Sequence, residues 1–132
     1  MNDAKKPAVL DLPNLAENLP YGFQELNRLS KLPFDWNGDG GEPPNTIAID
    51  WGKLILERLS NMKFAPNRVV PSAEGGIAIT FRNDKKYADI ECFNSGELLA
   101  VISDGSGNPE VWEVSVNQIQ ESLSRIRDYI QR

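Results

Sequence analysis

Regular interruption of the second half of the chain by turn residues constrains its fold more than any other feature. Between Pro66 and Val114 the apolar runs are broken at Gly75-Gly76, Asn83-Asp84, Asn94-Ser95-Gly96 and Asp104-Gly105-Ser106-Gly107-Asn108-Pro109. These residue types adopt the backbone conformations of tight turns, so each cluster separates two strands. The segments between them read as strands from Arg68 to Ser72, Gly76 to Arg82, Tyr87 to Phe93, Leu98 to Ser103 and Val111 to Val114. A parallel crossover takes about a dozen residues or more, and these connections are shorter. Neighbouring strands are therefore expected to be antiparallel, in a meander.

Alternation within the strands predicts which side is covered. Ile77, Ile79 and Phe81 alternate with Ala78, Thr80 and Arg82, and Ala88, Ile90 and Cys92 alternate with Tyr87, Asp89, Glu91 and Phe93. One face is buried and the other partly wet. The run Leu98-Leu99-Ala100-Val101-Ile102 is apolar on both sides, which places that strand centrally or under a second layer.

The remaining periodic segments are helical. Phe23, Leu26 and Leu29 recur at helical spacing between Pro20 and Leu32, with Pro33 as the stop. Asn45 is placed to cap a helix from Thr46 to about Met62, whose stripe holds Ile47, Trp51, Leu54, Ile55, Leu59 and Met62. At the other end, Ser115 followed three residues later by Gln118 has the form of a capping box. Val116, Ile119, Leu123, Ile126 and Ile130 then form a stripe that packs on the sheet. A two-helix coiled coil is the alternative, for which little more than two heptads is short. The fold expected is α+β: an antiparallel β-meander of four to five strands with two to three helices packed mainly on one face. Residues 1–18 mix lysine, proline and scattered leucines without a sustained period and read as an irregular arm, leaving residues 19–132 as a single α+β domain.

Composition narrows the function classes. The 132 residues suffice for one core, because most single domains run from about 50 to 200 residues. The longest wholly apolar run is far below the roughly 18 residues that suggest a membrane span. The N-terminal lysine pair leads into a segment broken by Asp11 and Pro13, unlike a secretion signal. The lone Cys92 has no partner for an internal disulfide, and a cytoplasmic location is expected. Fourteen basic against nineteen acidic residues give a net charge of -5, which disfavours nucleic acid and anionic lipid as partners and favours a basic protein. The chain has no histidine, which removes histidine-type zinc sites and triads built on a histidine base. No cofactor is called for.

Two places carry candidate chemistry. The loop Asp35-Trp36-Asn37-Gly38-Asp39-Gly40 matches the first half of a calcium-loop pattern, but position twelve is Thr46 where a bidentate glutamate belongs, and Pro43-Pro44 intervenes. It reads as an Asx- and glycine-rich turn, with Phe34 and Trp36 pinning it to the core and no metal assigned. Asp89 and Glu91, two apart on one strand, project from one face beside Tyr87 and Phe93, as a solvated outer surface, a glycosidase-like pair or a protein-binding patch. Asp104 with Glu110, flanking the next turn, has the same standing. Glu74-Gly75-Gly76 is a hairpin turn, and Cys92 belongs to the core.

Taken in order, Leu32-Pro33, Trp36-Asn37-Gly38-Asp39-Gly40, Pro43-Pro44, the helix from Ile47 to Leu59 and Pro71-Ser72-Ala73-Glu74-Gly75-Gly76-Ile77 resemble a widespread family of small uncharacterised bacterial proteins. That family's loop reads like W-D-G-x-G, often with an aromatic where this chain has Asp39, and its hairpin like P-x-x-x-G-G. The resemblance spans Leu32 to Glu91. It implies no established activity, implies that Asp39 is not an indispensable metal ligand, and associates the chain with accessory genes of mobile or defence loci. The function expected is non-enzymatic: a protein-binding module like an antitoxin, immunity protein or accessory subunit. Its binding surface would be Trp36, Asn37, Asp39 and Glu42 of the loop, or Asp89 and Glu91 of the strand, with a homodimer as a further possibility. The alternative is a histidine-free carboxylate hydrolase with a divalent ion at the Asp35–Asp39 loop.

Overall fold

The computed structural model describes residues 21–132. The arm expected over 1–18, and Pro20, lie outside the described residues. Helix α1 covers Phe23–Leu29, α2 Thr46–Asn61, and strands β1 Arg68–Ser72, β2 Gly76–Asn83, β3 Lys86–Phe93, β4 Leu98–Ser103 and β5 Glu110–Glu113 follow; a 3-10 turn, Val116–Gln118, leads into α3, Ile119–Gln131. The strands form one antiparallel sheet in the order β1-β2-β3-β4-β5, the α+β meander anticipated from the turn spacing. Among the described residues no helix is long and apolar enough to cross a membrane.

The helices pack on one side of this sheet. Ile77, Ile79, Phe81, Ala88, Ile90, Cys92, Leu98, Ala100 and Ile102 point into a core shared with α2 and α3, where Phe64 stacks on Phe81 at 4.8 Å between ring centroids. Burial of such apolar area, worth roughly 25 cal/mol per Å2, is what holds the layers together. β4 sits between β3 and β5, so it is interior to the sheet as its sequence predicted. No second layer of described residues covers its Leu99 and Val101.

Helix α2 buries Ile55 and Leu59 of the expected stripe and packs Trp51, Leu54 and Met62 against the core, but Ile47 falls outside it. Its buried positions are Ala48, Ile49, Gly52, Ile55, Leu56 and Leu59, while Ile47 is 48% exposed and Trp51 and Leu54 lie at the margin. Small residues centre the contact: a Cβ on Gly52 would fall 2.3 Å from Ile77 Cδ1. The helix thus approaches the sheet closely at Gly52, with larger side chains to either side. Asn45 caps this helix as predicted, its Oδ1 accepting from the Ala48 N–H at 2.9 Å.

The expected capping box at the last helix does not form. Ser115 Oγ lies 2.9 Å from Asn117 Oδ1 and 2.7 Å from Gln118 Oε1 and bonds no backbone N–H, and the chain first makes the 3-10 turn. A turn of three residues carries Val116 off the stripe, leaving it 64% exposed. Ile119, Leu123, Ile126 and Ile130 are buried as read. Helix α1 is also shorter than the segment from Pro20 to Leu32, ending where Ser30 Oγ donates to the Asn27 carbonyl at 2.7 Å.

Candidate functional site

The glycine-rich loop is closed on itself. Asn37 Oδ1 accepts from the N–H groups of Asp39 and Gly41, both at 2.9 Å, and Asp35 accepts through Oδ1 from the Gly40 N–H. The Asp35 N–H donates to the Gly41 carbonyl at 2.8 Å, holding Asp35 at φ 64, a left-handed conformation that aspartate tolerates better than most residues. Trp36 is half-buried, and its indole N–H donates to the Glu42 carbonyl at 3.0 Å. Phe34 is 67% exposed, so it does not pin the loop to the core; Trp36 and the backbone ties fix the loop instead. The side chains of Asp39 and Glu42 are exposed.

A clamp joins this loop to the sheet. Asn94, in the turn after β3, donates through Nδ2 to the Pro43 carbonyl at 3.1 Å, and its own N–H donates to the Gly75 carbonyl at 2.9 Å. Gly76 makes this junction possible: at φ 139 its Cβ would stand 2.1 Å from the Cys92 carbonyl oxygen. Pro43 and Gly75, from two of the motif segments, therefore meet through Asn94, which the sequence pattern marks only as a turn residue, and Trp36 joins them through its bond to Glu42.

The strand pair Asp89 and Glu91 lies on the face turned away from the helices. Antiparallel register sets Asp89 between Thr80 and Val101, and Glu91 between Ala78 and Leu99. Val70, Tyr87, Phe93 and Val111 share this face by alternation, giving acids in an apolar frame. Glu91 is half-buried, but Asp89 is 7% exposed, which corrects the solvated reading for that residue. Tyr87 OH donates to Asp89 Oδ2 at 2.6 Å, while Asp89 Oδ1 has no hydrogen-bond partner.

Ser72 and Glu74 complete the cluster. Ser72 Oγ lies 3.0 Å from Glu74 Oε1 and 3.3 Å from Glu91 Oε1, with one proton to serve both carboxylates. Burial raises the Asp89 pKa, against the lowering effect of the Tyr87 hydrogen bond. Burial also raises that of Glu91, and the charges of Asp89 and Glu74 add to the effect. Tyr87 is pushed far above the ordinary phenol range by burial first, then by its bond to Asp89 and the neighbouring carboxylates, with Arg82 opposing. Sequence reasoning found Asp89 and Glu91 but not Ser72 and Glu74, whose approach depends on the β1–β2 register. The strand acids and the loop residues Trp36, Asn37, Asp39 and Glu42 are not brought into one site by any hydrogen bond among the described residues.

Elsewhere, Ser106 holds Asp104 below the ordinary carboxylate range through hydrogen bonds, and Glu110 pairs with Arg125, whose guanidinium stacks 4.0 Å from the Trp112 ring centroid. Asp104 and Glu110 thus have separate partners. An open cleft of about 530 Å3 between α1 and β1 is lined by Tyr21, Glu25, Arg28 and Arg68 among others, and Arg28 is already paired with Glu25 at 3.4 Å.

No family model matches the chain, and no curated protein or solved structure matches it either.

Proposed function

We propose that this chain is a non-enzymatic protein-binding module of the bacterial cytoplasm, comparable to an antitoxin, an immunity protein or an accessory subunit of a mobile or defence locus. The observation that carries this reading is the sheet face turned from the helices, where acids with raised pKa values sit among Val70, Leu99, Val101 and Val111 and no described helix packs. Apolar surface framing a few polar groups is the composition of an interface centre. Net charge of -5 supports a basic partner, since opposite charge speeds encounter and suppresses wrong pairings. The likeness of the loop and hairpin motifs to small bacterial accessory proteins supports the same class.

The experiment is capture of the tagged full chain from its native cells at moderate salt, followed by reconstitution with the protein found. A stoichiometric partner whose binding is lost with Val101→Arg and kept with Asp39→Lys supports the sheet face. Loss only with Asp39→Lys would move the interface to the loop, and a monomer without partner would overturn the reading.

A second reading, hydrolysis by carboxyl groups without histidine, is favoured by the pairing of Asp89 and Glu91 on one strand face, where burial raises the pKa of both in the direction a general acid needs. Turnover abolished by Glu91→Gln in a folded variant would support it. A rise in Tm with millimolar calcium would add a divalent ion at the Asp35, Asn37 and Asp39 loop.

A further inference from the structure

Asn37 is the one asparagine of the chain that glycine follows, and its side chain is used unevenly. Oδ1 accepts from the N–H groups of Asp39 and Gly41, both at 2.9 Å, whereas Nδ2 donates to no group among the described residues. Two donors converging on one oxygen favour a charged acceptor over a neutral one, because charge-assisted bonds are the stronger. A carboxylate here would keep both bonds and lose none. The charges of Asp35 and Asp39 oppose it, but both residues are exposed, where water and salt screen them. The loop also leaves the amide open to its own backbone. Asn37 and Gly38 are exposed, and a Cβ added at Gly38 would find nothing within 4 Å, so the Gly38 nitrogen carries no steric shield. Gly41, on which the amide lies, has no side chain to displace it: a Cβ there would stand 2.7 Å from Asn37 Cγ.

We propose that Asn37-Gly38 is a self-modification site, where the amide becomes a carboxylate through a succinimide and the loop directs the product to aspartate. The inference is independent of the protein-binding reading and changes the charge of one of its two candidate surfaces. The turn bond from the Gly38 N–H to the Asp35 carbonyl, at 3.1 Å, opens first. The Gly38 nitrogen then attacks Asn37 Cγ and gives up its proton to the departing Nδ2. The new N–Cγ bond closes the ring, the Cγ–Nδ2 bond breaks, and ammonia leaves. Water reopens the ring with no change of oxidation state. Addition at Cγ restores the normal chain with an aspartate, while addition at the Asn37 main-chain carbonyl leaves isoaspartate, in which the chain runs through Cγ. In an unfolded chain the main-chain carbonyl, beside the electron-withdrawing amide on Cα, is opened more often. In the loop, the Asp39 and Gly41 N–H groups face the oxygen on Cγ and stabilise the negative charge that develops as nitrogen or water adds there. Addition at Cγ is therefore favoured twice, once in closing the ring and once in opening it, and the net charge moves one unit below -5.

The test incubates the full chain for days in warm, mildly alkaline buffer, beside the same chain unfolded in urea, and maps peptic peptides by mass spectrometry at acidic pH. Electron-transfer fragmentation separates aspartate from isoaspartate. A gain of about one dalton is expected at Asn37 ahead of the other asparagines. Aspartate should exceed isoaspartate in the folded chain, and the ratio should invert in urea. Asn37→Asp is expected to keep Tm within about two degrees of wild type, whereas Asn37→Ala, which removes the acceptor of two N–H groups, should melt lower. An amide that persists in the folded chain, whether or not the unfolded chain converts, would overturn the proposal, since the loop would then guard the site. Isoaspartate in excess in both states would overturn it as well, and so would an Asn37→Asp variant that melts as low as Asn37→Ala.

Discussion

Asn45 and Asn94 exchange two hydrogen bonds: the Asn45 N–H donates to Asn94 Oδ1 at 2.8 Å, and Asn45 Nδ2 donates to the Asn94 carbonyl at 3.0 Å. Asn45 also caps α2, so one contact ties the start of the main helix to the β3–β4 turn. Asn94→Ala removes the Oδ1 acceptor and the donor to Pro43, and is expected to cost about 2 kcal/mol of unfolding free energy in urea. Amide exchange in residues 35–45 should accelerate more than in β2 and β3, since the loop loses its anchor while the core is untouched.

Gly76 and Gly52 are both closely approached, yet their alanine variants should differ sharply. The Gly76 Cβ would meet backbone, the Cys92 carbonyl, at a φ that side chains rarely adopt. The Gly52 Cβ would meet the movable end of Ile77, and alanine recovers about 1 kcal/mol of helix propensity there. Gly76→Ala is expected to lose more than about 3 kcal/mol, and Gly52→Ala about 1–2 kcal/mol, in thermal melts of the two variants.

Acidity of the sheet face should be readable in stability. Asp89 and Glu91 have folded pKa values above their unfolded ones, near 3.9 and 4.3, so the native state binds more protons in that interval. Their unfavourable contribution is full above the folded pKa values and disappears as pH falls through them to about 4. The groups facing them are Tyr87, Ser72 and Glu74, with Arg82 acting on Tyr87. Asp89→Asn is expected to raise Tm by a few degrees at pH 7, and the difference from wild type should narrow towards pH 4. A difference that widens on acidification would reverse the sign of the shift.

Within the loop, Trp36 and Phe34 should respond differently to truncation. Trp36→Phe removes the indole donor to the Glu42 carbonyl and is expected to cost about 1 kcal/mol. Phe34→Ser removes an exposed ring and should change Tm by less than about one degree.

The meander was legible because its turns announce themselves locally: Asn83-Asp84 and Asn94-Ser95-Gly96 fix strand ends without reference to anything distant. The stripe of α2 was legible at Ile55 and Leu59 but not at Gly52, because a pattern drawn through large side chains misses a close approach that only the sheet defines. The capping pattern at Ser115 failed for a similar reason, since the spacing of Ser115 and Gln118 suits a 3-10 turn as well as a helix start. For the candidate site, period two sufficed to put Asp89 and Glu91 on one face. Bringing Ser72 and Glu74 to them required the pairing of β1 with β2, and the depth of Asp89 depended on neighbours across two strands.

Cys92 lies on the covered face near the end of β3 with 0% exposure, its thiol pushed up to about 12 by burial and the nearby Glu91 charge. A thiol so protonated and enclosed does not react while the sheet is intact. Modification by an excess of aromatic disulfide that outpaces reclosing should therefore proceed at the frequency with which β2, β3 and β4 part around Cys92, giving the molecule an internal clock for its own opening at a residue it already carries.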